Sequence, residues 1–150
     1  VDVVIVEGWC WGVEAQNPVE LFTTANDLEA TEDQFGLWRR YVNQQLINSY
    51  QPLYAMMDYW IMLKAPSFAN VYNWRLEQEE KLIAKSLKGE RSGLMTPAQI
   101  KRFIQFYQRL TEHSLLTLPS KCDEVFSLDS QRKIVAHSLK ASQQETLNAK

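Results

Sequence analysis

The sequence predicts an α/β fold with a parallel sheet covered by helices on both faces, and three observations carry that expectation. Val3-Val4-Ile5-Val6 is an unbroken apolar, β-branched run, the pattern of a central strand buried on both sides. Further apolar runs at 59–64 and 124–129 alternate with helical stretches, as parallel strands and their crossovers do. Thr96-Pro97-Ala98-Gln99 is a capping box with proline at the first helical position, so a helix opens there. Only about three strands are expected, which is few for a complete core.

The first strand closes on Glu7 and Gly8. A residue there lies at the carboxyl end of a strand, the end that opens into the ligand crevice of open α/β sheets. Gly8 permits a sharp turn. A solvated Glu at a strand exit fits the same pattern, and periodicity alone does not separate the two. The loop 8–18 carries Trp9 and Trp11, which should pack on a neighbour or line a pocket, because exposed indoles are costly. A short helix can start at Pro18, with Thr23 and Thr24 against it. A firmer one is expected over 33–49, with Trp38, Tyr41, Val42, Gln45 and Leu46 on one stripe. Arg39 and Asn43 sit four apart on the adjoining face, where they either reach one ligand or face solvent.

The strand 59–64 is ended by Ala65-Pro66-Ser67, with Ser67 a fair cap for a helix over 68–87. Arg75 and Glu79 are spaced to pair on that helix. Such a pair contributes only about a few tenths of a kcal/mol, so stability is a weak reason for Arg75. The stretch 85–93 is a polar, basic loop. Ile100, Phe103, Ile104, Tyr107 and Leu110 form the buried stripe of the next helix, with His113 near its last turn and Pro119 ending it. A strand at 124–129, a short helix over 130–138 and a polar, frayed tail over 139–150 complete the reading.

Composition bounds the function. At 150 residues the chain is about one domain, and 45% hydrophobic with 23% charged residues is ordinary for a soluble globular protein. A net charge of −2 gives no footprint for nucleic acid or an anionic membrane. Cys10 and Cys122 have no CxxC spacing and are expected as reduced thiols. There is no signal peptide and no apolar run long enough to span a bilayer, so the cytoplasm is the expected location. The chain opens directly on a strand that should be central, so a preceding segment is expected.

These residues carry a resemblance. Asp2-Val-Val-Ile-Val-Glu7-Gly8-Trp9 resembles the strand ending in Glu-Gly of the P-loop kinases of small metabolites. Asn26-x-Leu28-Glu29, Asp33-x-x-Gly36-x-Trp38-Arg39-x-Tyr41-Val42-Asn43, Val71-Tyr72-x-Trp74-Arg75-x-x-Gln78-Glu79 and Met95-Thr96-x-x-Gln99 are similar to the D-glycerate 3-kinase branch. Leu128-Asp129 before Arg132 is similar to that branch's last strand. The resemblance implies a partial P-loop NTPase-type α/β/α fold, with 1–138 as the carboxyl-terminal part of a kinase domain. It also implies ATP and Mg²⁺ as cofactors and a glycerate-like substrate. Implied roles are Glu7 as catalytic group and as Mg²⁺ ligand through water, Arg75 as catalytic cation and nucleotide contact, and Gln78 as nucleotide contact. Trp9, Arg39 and Asn43 are implied substrate contacts, and Lys85, Lys88 and Arg91 parts of a closing lid. The family's phosphate cradle, Gly-x-x-x-x-Gly-Lys-Ser/Thr, is absent from this sequence. A preceding P-loop segment or a partner chain is therefore expected to complete the sheet, and the chain alone is expected to be inactive. A non-catalytic interaction module, or a kinase of another small hydroxylated metabolite, are the alternatives.

Overall fold

The computed structural model describes residues 2–85 and 94–140. Helices dominate: α1 (Asp27–Glu32), α2 (Leu37–Gln45), α3 (Gln51–Tyr54), α4 (Phe68–Lys85) and α5 (Pro97–Thr117). A π turn, Leu46–Tyr50, joins α2 to α3. The strands β1 (Ile61–Lys64), β2 (Glu124–Leu128) and β3 (Ile134–Leu139) form one sheet in the order β1-β2-β3. β1 and β2 are parallel, with Ile61 opposite Glu124; β2 and β3 are antiparallel. None of the described helices is long and apolar enough to cross a membrane.

Three local expectations are corrected. Residues 2–8 form no strand, and Val3, Val4 and Ile5 are exposed. A run that is apolar on both faces needs a neighbouring strand to take its N–H and C=O groups, and no described strand lies beside this one. Residues 134–139 are a strand rather than the tail of a helix, so the sheet is mixed. The Asp129 carboxylate accepts from the Gln131 and Lys133 N–H groups, which folds 129–133 into a tight turn and sends the chain back along β2. Arg132 takes the left-handed conformation in that turn, at φ 65°, a state that costs a non-glycine residue about 1 kcal/mol. Finally, the buried face of α2 is the one carrying Arg39, Asn43 and Leu46, while Trp38 and Tyr41 lie exposed and stacked on each other.

Other expectations hold. α5 starts on the Thr96 capping box, the Thr96 hydroxyl accepting from the Gln99 N–H and the Gln99 side chain from the Thr96 N–H. Ile100 is fully buried and Ile104 nearly so. A small core of Leu118, Cys122 and Val125, with Trp60 and Met62 against it, joins the end of α5 to the sheet. Burial pushes both thiols up, Cys10 against a hydrogen bond with Thr111 and Cys122 with help from the Asp123 charge, so both stay protonated at neutral pH.

The loop after residue 8 is tied down by rings and by one arginine. Trp9 stacks on Tyr107 of α5 at 5.0 Å. Trp11 meets Tyr54 edge-on at 5.1 Å, and Tyr54 in turn meets Trp60 at 5.6 Å. Arg109 of α5 forks onto Glu29 of α1, Nε to Oε1 at 2.7 Å and Nη2 to Oε2 at 2.6 Å, and also donates to the Thr23 carbonyl at 2.5 Å.

Gly12 sits at φ 87° against Trp60, and a Cβ there would lie 2.7 Å from the indole Cζ3. Gly12→Ala therefore incurs both a strained backbone and a clash with a ring that packs on the core. The expected cost is about 1–3 kcal/mol, seen as a lower urea midpoint. Gly8→Ala, whose Cβ would meet Trp11 only at 3.5 Å, is the near-neutral control.

Candidate active site

A groove of about 1620 Å³ is lined by residues 2–9, by α4, by β1 and by part of α5. Its lining carries both signs of charge: Asp2, Glu7 and Asp58 are joined by Arg75, Lys81 and Lys85 of α4 and Arg132 of the hairpin turn, with Glu77 of α4 pairing Lys81 and Arg132. The rest is largely apolar, including Trp9, Ile61 and Leu63.

Glu7, Trp9, Arg75 and Gln78, far apart in sequence, are brought together as lining of this groove. The Glu7 carboxylate is exposed and has no hydrogen-bond partner among the described residues. It is thus available as an oxygen ligand or as a proton acceptor. Among the described residues no three metal-binding side chains cluster. A single carboxylate fits Mg²⁺, which keeps most of its waters and takes its remaining ligands from phosphates.

Arg75 is held from behind. Its Nη1 lies 2.6 Å from Glu79 Oε2, and its guanidinium lies over the Phe103 ring at 6.0 Å. Glu79 is only 2% exposed, and its other oxygen accepts from the Met95 N–H at 2.6 Å. That backbone donor, and then Arg75, hold the Glu79 carboxyl below the usual carboxylate range against its burial. The spacing of the pair was legible in the sequence; the burial of Glu79 was not. The buried carboxylate turns an ordinary helix pair into a support that fixes the arginine's direction.

Arg39 and Asn43 are placed elsewhere. Neither lines the groove. Arg39 donates to the Leu21 carbonyl at 2.6 Å and pairs with Asp33, while Asn43 exchanges hydrogen bonds with the N–H and C=O of Gln16. Burial raises the Asp33 carboxyl, but the Trp38 and Arg39 N–H groups and the Arg39 charge outweigh it and hold the group low. Both side chains thus satisfy backbone groups of the loop that follows Trp9. Lys85 is at the groove; Lys88 and Arg91 lie outside the described residues. Trp74 and Arg132 line the groove as well. Their motifs were quoted above, but nothing in their spacing marked them as a pair.

No family model matches the chain. Over 140 residues it is 29% identical to an uncharacterized kinase, mug58, of Schizosaccharomyces pombe, covering 89% of this chain and 48% of that protein. Among solved structures it is similar to D-glycerate 3-kinase from Cryptococcus neoformans, with a TM-score of 0.70 at 22% identity over 93% of this chain and 50% of that one. It is also similar to the YGR205w protein, with a TM-score of 0.56 at 22% identity, covering 89% and 46%. The chain therefore has a kinase-like, partial α/β fold and spans about half the length of the proteins it matches.

Proposed function

We propose that the chain is part of an ATP-dependent small-molecule kinase whose substrate is D-glycerate or a similar small hydroxy acid. The observation that carries this is the groove, which gathers Glu7 and Trp9 from one end of the chain and a braced Arg75 with Gln78 from α4. Phosphoryl transfer asks for little covalent chemistry from the protein. It needs in-line positioning and a fixed cation where negative charge spreads over the transferred group. Arg75, pre-aimed by Glu79, serves as that cation, and Gln78 as a neutral donor to the nucleotide. Glu7 accepts the proton of the attacking hydroxyl or anchors the metal through water. Bound Mg²⁺ would supply charge neutralisation at the phosphates. Trp9 walls the substrate side, and Arg39 and Asn43 act one step back by holding the loop behind it.

The groove's lining also leaves apolar surface uncovered among the described residues. The bare apolar run at residues 3–6 and the exposed Ile61 and Leu63 of β1 lie in its walls. We propose that a further strand, with a Gly-rich phosphate-binding loop, fits between them and pairs with β1. The test is a coupled phosphorylation assay of the full-length protein against a panel of small hydroxy acids and nucleosides, beside the isolated 150-residue chain. ATP- and Mg²⁺-dependent turnover of glycerate by the full-length protein only is the expected outcome. Turnover of another acceptor moves the substrate. No turnover and no ATP-analogue binding by the full-length protein favours an interaction module.

A further inference from the structure

Helix α4 carries the groove's arginine, yet its one fully buried side chain among the described residues is a carboxylate, Glu79. Its apolar stripe, Phe68, Val71, Tyr72 and Leu76, is only half-buried. Polar contacts hold the helix on two sides as well. Toward α5 the contact is Arg75–Glu79–Met95. Toward the sheet it is the turn between β2 and β3: the Trp74 indole N–H donates to the Ser130 carbonyl at 2.6 Å, Arg132 lies over the Trp74 ring at 5.7 Å, and Arg132 Nη2 pairs with Glu77 at 2.5 Å. Glu77 also pairs with Lys81, one turn further along. Arg132 is the only described non-glycine residue at positive φ, and its turn is set by Asp129 accepting two N–H groups. Strained residues that persist in a well-determined turn cluster where geometry matters for function.

We infer that Arg132 is a positioning residue. With Trp74, it clips α4 to the hairpin turn and so sets where Arg75 and Gln78 stand over the groove. Each contact is half-exposed and weak alone. Together they hold the middle of a helix whose apolar side chains are only half-buried, so their loss loosens the helix rather than unfolding the protein. In its catalytic consequence the inference rests on the kinase reading above.

The test is hydrogen exchange over 68–85 in the full chain for Arg132→Ala, Arg132→Gly and Trp74→Phe. Glycine removes the same side chain but suits the left-handed turn, so it separates loss of the clip from strain of the turn. All three variants are expected to exchange about tenfold faster along α4, with β2 and α5 unchanged. In the full-length protein, Arg132→Gly is expected to lower kcat about tenfold, and to lower it no further when Arg75→Ala is already present, because the two act in series. Unaltered α4 exchange in Arg132→Gly overturns the clip, whether or not the protein phosphorylates anything. Additive effects of Arg132→Gly and Arg75→Ala overturn its action through Arg75. Faster α4 exchange in a protein with no phosphoryl-transfer activity leaves the clip standing and overturns the kinase reading.

Discussion

Glu7→Gln in the full-length protein is expected to lower kcat by about 10³-fold, within the range for losing a positioned general base or a fixed charge at phosphoryl transfer. The substitution keeps size and shape and removes the charge. Glu7 is exposed and makes no described hydrogen bond, so the fold should be untouched and the circular dichroism unchanged. The shape of the loss separates the two roles. If Glu7 holds the metal through water, raising Mg²⁺ restores part of the rate; if it takes the hydroxyl proton, added Mg²⁺ does nothing. An unchanged kcat would remove Glu7 from the chemistry.

The largest expected stability effect lies away from the groove. Glu29 and Arg109 are both nearly buried, with side chains 13% and 11% exposed, and they face each other as a two-pronged pair. Burial raises the Glu29 carboxyl. The Arg109 hydrogen bonds, the Ala25 N–H and the Arg109 charge outweigh that and hold it below its usual value. Arg109→Leu leaves a buried carboxylate without its cation and the Thr23 carbonyl without its donor. Breaking one side of such a pair costs about 3 kcal/mol, which for a chain of this length lowers Tm by roughly 10 °C. The sign of the pH effect follows. A carboxyl whose folded pKa is depressed stabilises the fold above its unfolded value, and this is lost as pH falls from about 4.5 through the folded value. Thermal melts from pH 7 to pH 3 should show that acid loss in the wild type. In Arg109→Leu the loss should be smaller, the remainder coming from Asp33 and Glu79, which are also held low. A variant that melts like the wild type at pH 7 would mean that α1 is held by other contacts.

Much of this architecture was legible in the chain because local rules carried it. The Thr96 box, the α5 stripe and the apolar runs of β1 and β2 each rest on patterns within a few residues. The failures had the opposite character. Whether Val3–Val6 makes a strand depends on a neighbour in space, which no local pattern reveals. On α2 the aromatic residues suggested the inner face. The fold instead buries Arg39 and Asn43, since the loop behind needs partners for the Leu21 carbonyl and for both backbone groups of Gln16. The hairpin at 129–139 was hidden by its polar turn, whose signal was Asp129 with N–H groups two and four residues on. Of the candidate site, Glu7, Trp9 and Arg75 were marked by local pattern, their roles and Gln78 came through a resemblance, and the structure adds that the four share a groove.

The free edge of β1 has a consequence for what can be changed without harm. Whatever pairs there is held first by main-chain N–H and C=O groups, and those are blind to side-chain identity. Discrimination then falls to the β1 side chains at the groove, of which Ile61 and Leu63 are the exposed ones. A shift of one residue in the incoming strand would present its wrong face to both of them. If the proposed strand pairs there, those two positions, rather than the hydrogen-bonding edge itself, would decide its alignment, and with it the height at which any residue it carries would meet Glu7.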